Sequence, residues 1–214
     1  SQFIRFENAT DSESVKVSLS KIRIEDFYNL FRLSKYEVRG ELNGTASIFN
    51  LYQSPRYEAN IAATQFAFNG DSADKVIVKI DYNTNKDLMT LSAKVKDDLY
   101  DVEASGSYLP NSTSNSLDMK AEIIKVELPI LGKYLSDYVS NVSGRVGGQL
   151  FLKGTLSKPS VTGSLSILNA EAKVDYLQTS YSFSGATIKL DDNKIDLGEI
   201  TLYDDVKNGR NPAV

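Results

Sequence analysis

Two acidic pairs near the C-terminus, Asp191-Asp192 and Asp204-Asp205, are the residues whose types most directly suggest site chemistry. Clustered carboxylates bind hard cations such as Ca²⁺, but this spacing matches no calcium-loop signature and indicates solvated turns. The chain has no His and no Cys, which excludes a Ser-His-Asp triad and thiolate chemistry. We therefore predict no catalytic residues, no metal, no cofactor and no enzymatic activity.

The burial of apolar groups is the remaining chemistry, and residues 141–167 carry its pattern. Apolar side chains fall on even positions up to Leu152 and on odd positions after the corner at Pro159. Successive side chains of a strand point to opposite faces, so each run has one apolar face. We predict a long antiparallel hairpin whose apolar face is either core or a surface for an apolar ligand.

Further strands and two helices position this hairpin. The apolar alternation moves by one residue near Ser20-Lys21 and again near Thr64, and each shift predicts a β-bulge or register shift. Apolar residues at helical spacing predict short amphipathic helices over 25–34 and 129–139, which cap one end of the sheet. After Tyr176 the alternation predicts four short strands, the last at Ile200–Leu202.

An internal repeat relates the two halves of the chain at an offset of 144 − 40 = 104 residues, since the pair Gly40/Gly44 aligns with the pair Gly144/Gly148. Repeated strands with one apolar face favour a stacked, elongated sheet. We predict a first β repeat over 1–110 with its helix near 25–34, a second over 117–205 with its helix near 129–139, and a truncated tail over 206–214. The chain is expected to be a fragment of a longer protein.

Composition restricts the partners. The 24 basic and 28 acidic residues are well mixed and give a net charge of −4, whereas a nucleic-acid surface needs a basic stripe. No apolar run approaches the roughly 20 residues of a membrane helix. A signal peptide is not visible either, so we expect any membrane anchor to lie outside this fragment.

The fold class predicted from these patterns is mainly β: an elongated, strongly curved antiparallel sheet with an apolar groove, built from two repeats with one short helix each. Glycines within the long hairpins mark bends in the strands. The candidate residues that line the groove and contact lipid are Val38, Leu42, Ile48, Ile61, Val142, Val146, Leu150, Leu152, Leu165 and Ile167.

Residues 136–205 resemble the TamB family of translocation and assembly module proteins, in the AsmA-like/TamB β-taco superfamily, near its C-terminal region. The resemblance rests on Gly144 and Gly148, on the corner GTLSKP at 154–159, and on the continuation through Leu165 to Asn169-Ala170. It extends through the repeat, more weakly, over 15–70. It implies a β-taco that shields phospholipid acyl chains, and a periplasmic location with the parent protein anchored in the inner membrane.

The same resemblance implies an outer-membrane barrel of the TamA/BamA type as a partner, and a role in phospholipid transport to the outer membrane or in outer-membrane protein assembly. The alternative is a structural or adhesive β-repeat module with a closed core, which binds protein or glycan by its polar face. Both alternatives stay open at the level of sequence.

Overall fold

The structure is a computed structural model that describes residues 2–8, 14–27, 37–131, 136–192, 194–206 and 209–212. These residues are mainly β, form one long antiparallel sheet that is not closed, and contain almost no helix. The predicted mainly β, antiparallel class is therefore confirmed.

The strands of the described residues follow one another along the sheet with few exceptions. β1 to β11 are neighbours in chain order, β14 and β15 follow β11, β12 pairs with β10, and β13 pairs with β12. The first eight are β1 (Phe3–Asn8), β2 (Val15–Arg23), β3 (Val38–Phe49), β4 (Arg56–Phe68), β5 (Asp71–Asn83), β6 (Leu88–Lys96), β7 (Tyr100–Tyr108) and β8 (Leu117–Glu127). The others are β9 (Val139–Gly154), β10 (Pro159–Val174), β11 (Thr179–Phe183), β12 (Ala186–Asp191), β13 (Lys194–Asp196), β14 (Tyr203–Val206) and β15 (Gly209–Pro212).

The chain divides into two compact units. The first comprises Ser1–Asp98, Glu103–Lys120 and Lys153–Pro159, and the second comprises Leu99–Val102, Ala121–Leu152 and Ser160–Val214. The predicted repeats, 1–110 and 117–205, are defined by sequence similarity and not by spatial contacts. The division into repeats therefore stays a prediction.

The register of the first unit places its apolar residues in rows across β2 to β6. Residues directly opposite in an antiparallel pair have their side chains on the same face, so these rows define the apolar face of the first unit. Its rows are Val15, Ile48, Tyr57, Tyr82, Met89; Val17, Ala46, Ala59, Ile80, Leu91; Leu19, Gly44, Ile61, Val78, Ala93; and Ile22, Leu42, Ala63, Val76, Val95.

Both predicted register shifts in the first unit are confirmed. The pairing of β2 with β3 shifts between Leu19 and Ile22, where Lys21 has a φ of 53°. The pairing of β3 with β4 shifts between Arg39 and Glu41, opposite Gln65 with a φ of 51°. In a regular strand, the apolar residues after each of these points would lie on the polar face. Each shift keeps them on the apolar face instead.

The predicted helices correspond to short 3₁₀ turns where the structure describes them. One turn spans Ile24–Phe27 and the other Leu128–Leu131, while the rest of the predicted helix over 25–34 lies outside the described residues. Of the helix predicted over 129–139, residues 132–135 lie outside the described residues. Its end is wrong, because residues 136–138 form a turn and β9 begins at Val139. The N–H of Asp175 donates to the carbonyl of Tyr138 at 3.1 Å, so this segment is already hydrogen-bonded across to the next strand.

The last predicted strand is also displaced. Residues 200–202 are not in a strand, and β14 begins one residue later, at Tyr203. There the backbone meets a partner, since β14 pairs with β11 through Tyr181 opposite Asp204. Pairing partners, rather than the Ile200–Leu202 alternation, decide where the strand starts.

The buried core is small. In the first unit, Ile24 of the 3₁₀ turn packs with Val38 and Ala63, and Leu42, Phe66 and Val76 pack against them. Within the described part of the chain, no large side chain is fully buried. Most apolar side chains of the sheet are half-buried instead.

Candidate functional site

An apolar pocket of about 600 Å³ lies in the second unit. Ser143 and Glu171 are the polar residues that line it, and the other lining residues are apolar or aromatic. They are Leu128, Val139, Val142, Ile167, Ala170, Ala172, Val174, Leu177, Tyr181, Phe183 and Leu202. Such a lining favours an apolar ligand, because it offers few groups that could orient a polar one.

Strands β9, β10 and β11 position the lining. Ala170 lies opposite Phe183 and Ala172 opposite Tyr181, so small residues of β10 face aromatic rings of β11. Asn169 has a φ of 51°, which lets Ile167 before it and Ala170 after it reach the same pocket. Without that left-handed residue, strict alternation would place one of the two on the other face.

Close approach of β9 to β10 also shapes the pocket. A Cβ on Gly144 would lie 2.7 Å from the Cα of Ala170, a distance that no side chain permits. The pocket floor at this point is therefore backbone and the methyl group of Ala170, which is itself buried.

Burial differs between the pocket's floor and its rim. Leu128 of the second 3₁₀ turn and Ala170 are buried, with 8% and 4% of their surface exposed. Leu177 and Leu202 are 53% and 37% exposed. Apolar groups therefore run from the inside of the pocket to solvent, and the two polar lining residues, Ser143 and Glu171, are exposed.

Two of the residues predicted to contact lipid, Val142 and Ile167, line this pocket. Leu150 and Leu165 lie elsewhere in the second unit, where the backbone of Gly163 approaches Leu150 and that of Gly148 approaches Leu165. Val146 and Leu152 are half-buried. The structure thus brings two of the six predicted residues of this half into one pocket, and the lipid-contacting role of all six stays a prediction.

The four predicted residues of the first half lie on the apolar face of the first unit or at its end. Ile48 and Ile61 belong to its rows and are half-buried. Leu42 packs against the buried cluster, and Val38 is part of it with 8% of its surface exposed. Val38 is therefore less accessible to a ligand than the other three.

Most of the pocket lining is not evident from the sequence. Ala170, Ala172 and Val174 alternate after Ile167, but on the opposite parity. The offset of 104 carried a usable signal, since it moves the shift predicted near Thr64 to Leu168, beside Asn169. The alternation at Tyr181 and Phe183 predicts a strand, but the sequence alone does not indicate that this strand pairs with β10.

The polar face of the first unit carries a second pocket, of about 590 Å³, which extends across β3 to β7. Its polar lining residues are Thr45, Ser47, Glu58, Asn60, Lys79, Asp81, Thr90, Ser92 and Ser105. Beside it, Nε of Arg56 donates to Oδ2 of Asp81 at 3.0 Å, and its guanidinium lies 2.9 Å from Glu58. The hydrogen bond to Asp81 raises the pKa of Arg56 above its ordinary value.

Two further titratable groups, Asp26 and Tyr82, have shifted pKa values that arise from packing and ion pairing in the sheet. The hydrogen bond from Arg23, at 2.8 Å, lowers the pKa of Asp26 and holds the first 3₁₀ turn to β2. Burial against the sheet raises the pKa of Tyr82, whose ring stacks on Tyr57 at a centroid distance of 5.9 Å. Neither group lies near a nucleophile or base that would indicate catalysis.

Two further features are absent from the described ranges. There, no group of three or more acidic side chains is placed to hold a metal ion. Within the same ranges, no helix has the length and apolar character needed to cross a membrane.

None of the protein-family models, curated proteins or solved structures compared with the chain matches it. The resemblance to the TamB family therefore rests on the motifs of residues 136–205 and, more weakly, on the repeat over 15–70.

Proposed function

We propose that this chain is a non-enzymatic segment of an envelope protein that shields lipid acyl chains on an apolar β surface. The observation that carries the proposal is the combination of the apolar pocket in the second unit with a sheet that has almost no buried core. An apolar face covered by its own chain would contain fully buried large side chains, and the described residues contain none.

The mechanism follows from the lining. An acyl chain would enter past the exposed Leu177 and Leu202 and lie against Val142, Ile167 and Phe183. Each methylene that leaves water contributes about 0.8 kcal/mol. The head group would stay in solvent, because the pocket offers it few polar partners.

We further propose the finer architecture: two repeats, each with a short helical turn, that together form an apolar groove of the β-taco kind. The 3₁₀ turns begin at Ile24 and Leu128, an offset of 104 residues. Left-handed or similar φ angles recur at that offset, at 145° and 113°, 147° and 151°, and 51° and 51°. They belong to Gly40 and Gly144, Gly44 and Gly148, and Gln65 and Asn169.

The setting of this activity is proposed from the family resemblance alone. In it, the parent protein is anchored in the inner membrane and crosses the periplasm. It works with an outer-membrane barrel of the TamA/BamA type, in phospholipid transport to the outer membrane or in outer-membrane protein assembly.

Binding of a phospholipid with one fluorescent acyl chain tests the proposed function. We expect the chain to bind this probe and Ile167→Arg to weaken binding about tenfold, since a guanidinium in the pocket displaces about two buried methylenes. Fluorescence titration measures the affinity, and native mass spectrometry shows whether phospholipid co-purifies.

Ile124→Arg is the matched control, because Ile124 is 56% exposed and lies outside the pocket. It should leave probe binding unchanged, and circular dichroism should show β structure in both variants. Failure of the unaltered chain to bind the probe, or equal binding by Ile167→Arg, would exclude an acyl-chain site in this pocket.

A second candidate function is favoured by the polar pocket of the first unit. Its hydroxyl, amide and charged groups suit a glycan or a polar protein segment, as expected of an adhesive β module with a closed core. In that case the purified chain carries no lipid, and Ile167→Arg unfolds the second unit instead of weakening a ligand.

A further inference from the structure

The polar pocket of the first unit is built from two rows of side chains that cross β3 to β6. The lysine row consists of directly opposite residues, namely Thr45, Asn60, Lys79 and Ser92. The carboxylate row is formed in the same way from Ser47, Glu58, Asp81 and Thr90. Directly opposite residues share a face of the sheet, and neighbouring strands lie about 5 Å apart. Both rows therefore present polar groups on one face at about that interval.

The lysine row has hydrogen-bonding groups that its own chain does not use. All of its residues line the pocket, and within the described part of the chain none of their side chains forms a hydrogen bond or an ion pair. Asn60 and Lys79 are also exposed. Next to the row, Lys94 and Glu103 pair with each other instead. The donors and acceptors of the lysine row are therefore available to a ligand.

The charges in and beside the pocket cancel. The guanidinium of Arg56 lies 2.9 Å from Glu58, and its Nε donates to Asp81 at 3.0 Å. Arg56 and Lys79 balance these two carboxylates, so the pocket selects neither an anion nor a cation. A neutral hydroxyl group suits it, because a hydroxyl donates to a carboxylate and accepts from an ammonium or amide group.

The place of the pocket in the sheet favours a saccharide over a polypeptide. An added strand pairs with the free backbone groups of a sheet edge, but β3, β4, β5 and β6 each have a neighbouring strand on both sides. A peptide on this face would leave its own N–H and C=O groups without a sheet partner. A saccharide has no such backbone, and its rings carry hydroxyl groups at an interval similar to the strand spacing of about 5 Å.

We propose that the polar pocket binds a neutral oligosaccharide, which lies across β3 to β6 with its hydroxyl groups on the lysine row and the carboxylate row. The pocket volume of about 590 Å³ is in the usual range for ligand sites. Such a ligand belongs to the second candidate function, on which this inference rests. It does not depend on the apolar pocket, which lies in the second unit.

Titration calorimetry of the whole chain with linear hexasaccharides tests the ligand class. The probes are neutral hexamers of glucose and of N-acetylglucosamine, and an acidic hexamer of galacturonate. We expect the chain to bind a neutral hexamer, and to bind the acidic one no more tightly, because no net charge attracts it. Binding of neither neutral hexamer, or a preference for galacturonate, would overturn the proposal. A Ser- and Thr-rich peptide that binds when the neutral hexamers do not would assign the pocket to a protein partner instead.

Two lysine substitutions locate the site. Lys79→Ala should weaken binding of the neutral hexamer about tenfold, because a hydrogen bond from a charged group is lost. Lys75→Ala is the matched control, since Lys75 is an exposed lysine on the same face of β5 but outside the pocket. Equal effects of the two substitutions would overturn the proposal, and circular dichroism verifies that both variants fold.

The fluorescent phospholipid separates this inference from the acyl-chain proposal. Lys79→Ala should bind that probe as tightly as the unaltered chain does, because Lys79 is not in the apolar pocket. Hexamer binding without phospholipid binding would leave the saccharide site standing and remove the acyl-chain site. Phospholipid binding without hexamer binding would do the reverse.

Discussion

At the scale of single residues, glycine controls how closely neighbouring strands approach. A Cβ on Gly148 would lie 2.2 Å from the carbonyl oxygen of Ser164, and one on Gly44 would lie 2.1 Å from that of Asn60. Their φ angles of 151° and 147° are ones that other residues rarely adopt. These positions therefore require glycine for both space and conformation.

Gly148→Ala should destabilise the chain by about 3 kcal/mol, through strain in the backbone and the clash with Ser164. Urea unfolding followed by circular dichroism measures the change. Gly147→Ala is the neighbouring control, because Gly147 has no left-handed φ and its Cβ would lie 3.2 Å from the carbonyl oxygen of Ile123, a contact that a small shift relieves. We expect it to change stability by less than about 1 kcal/mol, and equal effects of the two substitutions would contradict this explanation.

At the scale of elements, the register shifts were predictable from sequence because apolar parity must be restored after each one. The sequence shows Leu19 and Ile22 on opposite parities, and both must face the same side of the sheet. The structure resolves this with a left-handed Lys21, whose N–H donates to Oδ1 of Asn43 at 2.9 Å.

Single-residue deletions in β2 test whether the strand has a bulge between Leu19 and Ile22. Without Lys21, Leu19 and Ile22 become alternate residues of a regular strand, so apolar parity is kept and stability should change by less than about 1 kcal/mol. Without Ser18, Val15 and Val17 turn to the polar face, which should cost about 3 kcal/mol in buried area. Chemical unfolding of the two deletion variants gives the comparison, and a tolerated Ser18 deletion would argue against the register described here.

The ends of elements were not predictable in the same way. Helical spacing over 129–139 is genuine in the sequence, but Tyr138 is already hydrogen-bonded to Asp175 of the neighbouring hairpin end. Local propensity cannot anticipate a partner that lies 175 − 138 = 37 residues away. The same competition explains why β14 begins at Tyr203 instead of Ile200, since its partner is set by the position of β11.

At the scale of the whole molecule, sequence predicted the mainly β, antiparallel class because alternation persists through most of the chain. It predicted Val142 and Ile167 of the pocket from the same alternation. It did not predict Ala170, Tyr181 or Phe183, because the lining depends on which strands lie side by side after Asn169. Pairing across strands is a long-range property, and a single sequence contains only its local signature.

The scarcity of buried side chains has a consequence for thermodynamics. Most apolar side chains of the described strands are half-buried, and none of the large side chains in the described residues is fully buried. Unfolding therefore hydrates less new apolar surface than it does in an ordinary domain, and that hydration is the source of the heat-capacity increment.

We accordingly expect calorimetry to give an unfolding heat capacity below the usual value of about 12–15 cal/mol/K per residue. A value at or above that range would mean that the apolar face is covered in solution. A small increment flattens the curve of stability against temperature, because the enthalpy and entropy of unfolding then vary little with temperature. The free energy of unfolding of such a sheet would vary little with temperature. That of a compact domain with the same unfolding temperature would instead pass through a pronounced maximum at a lower temperature.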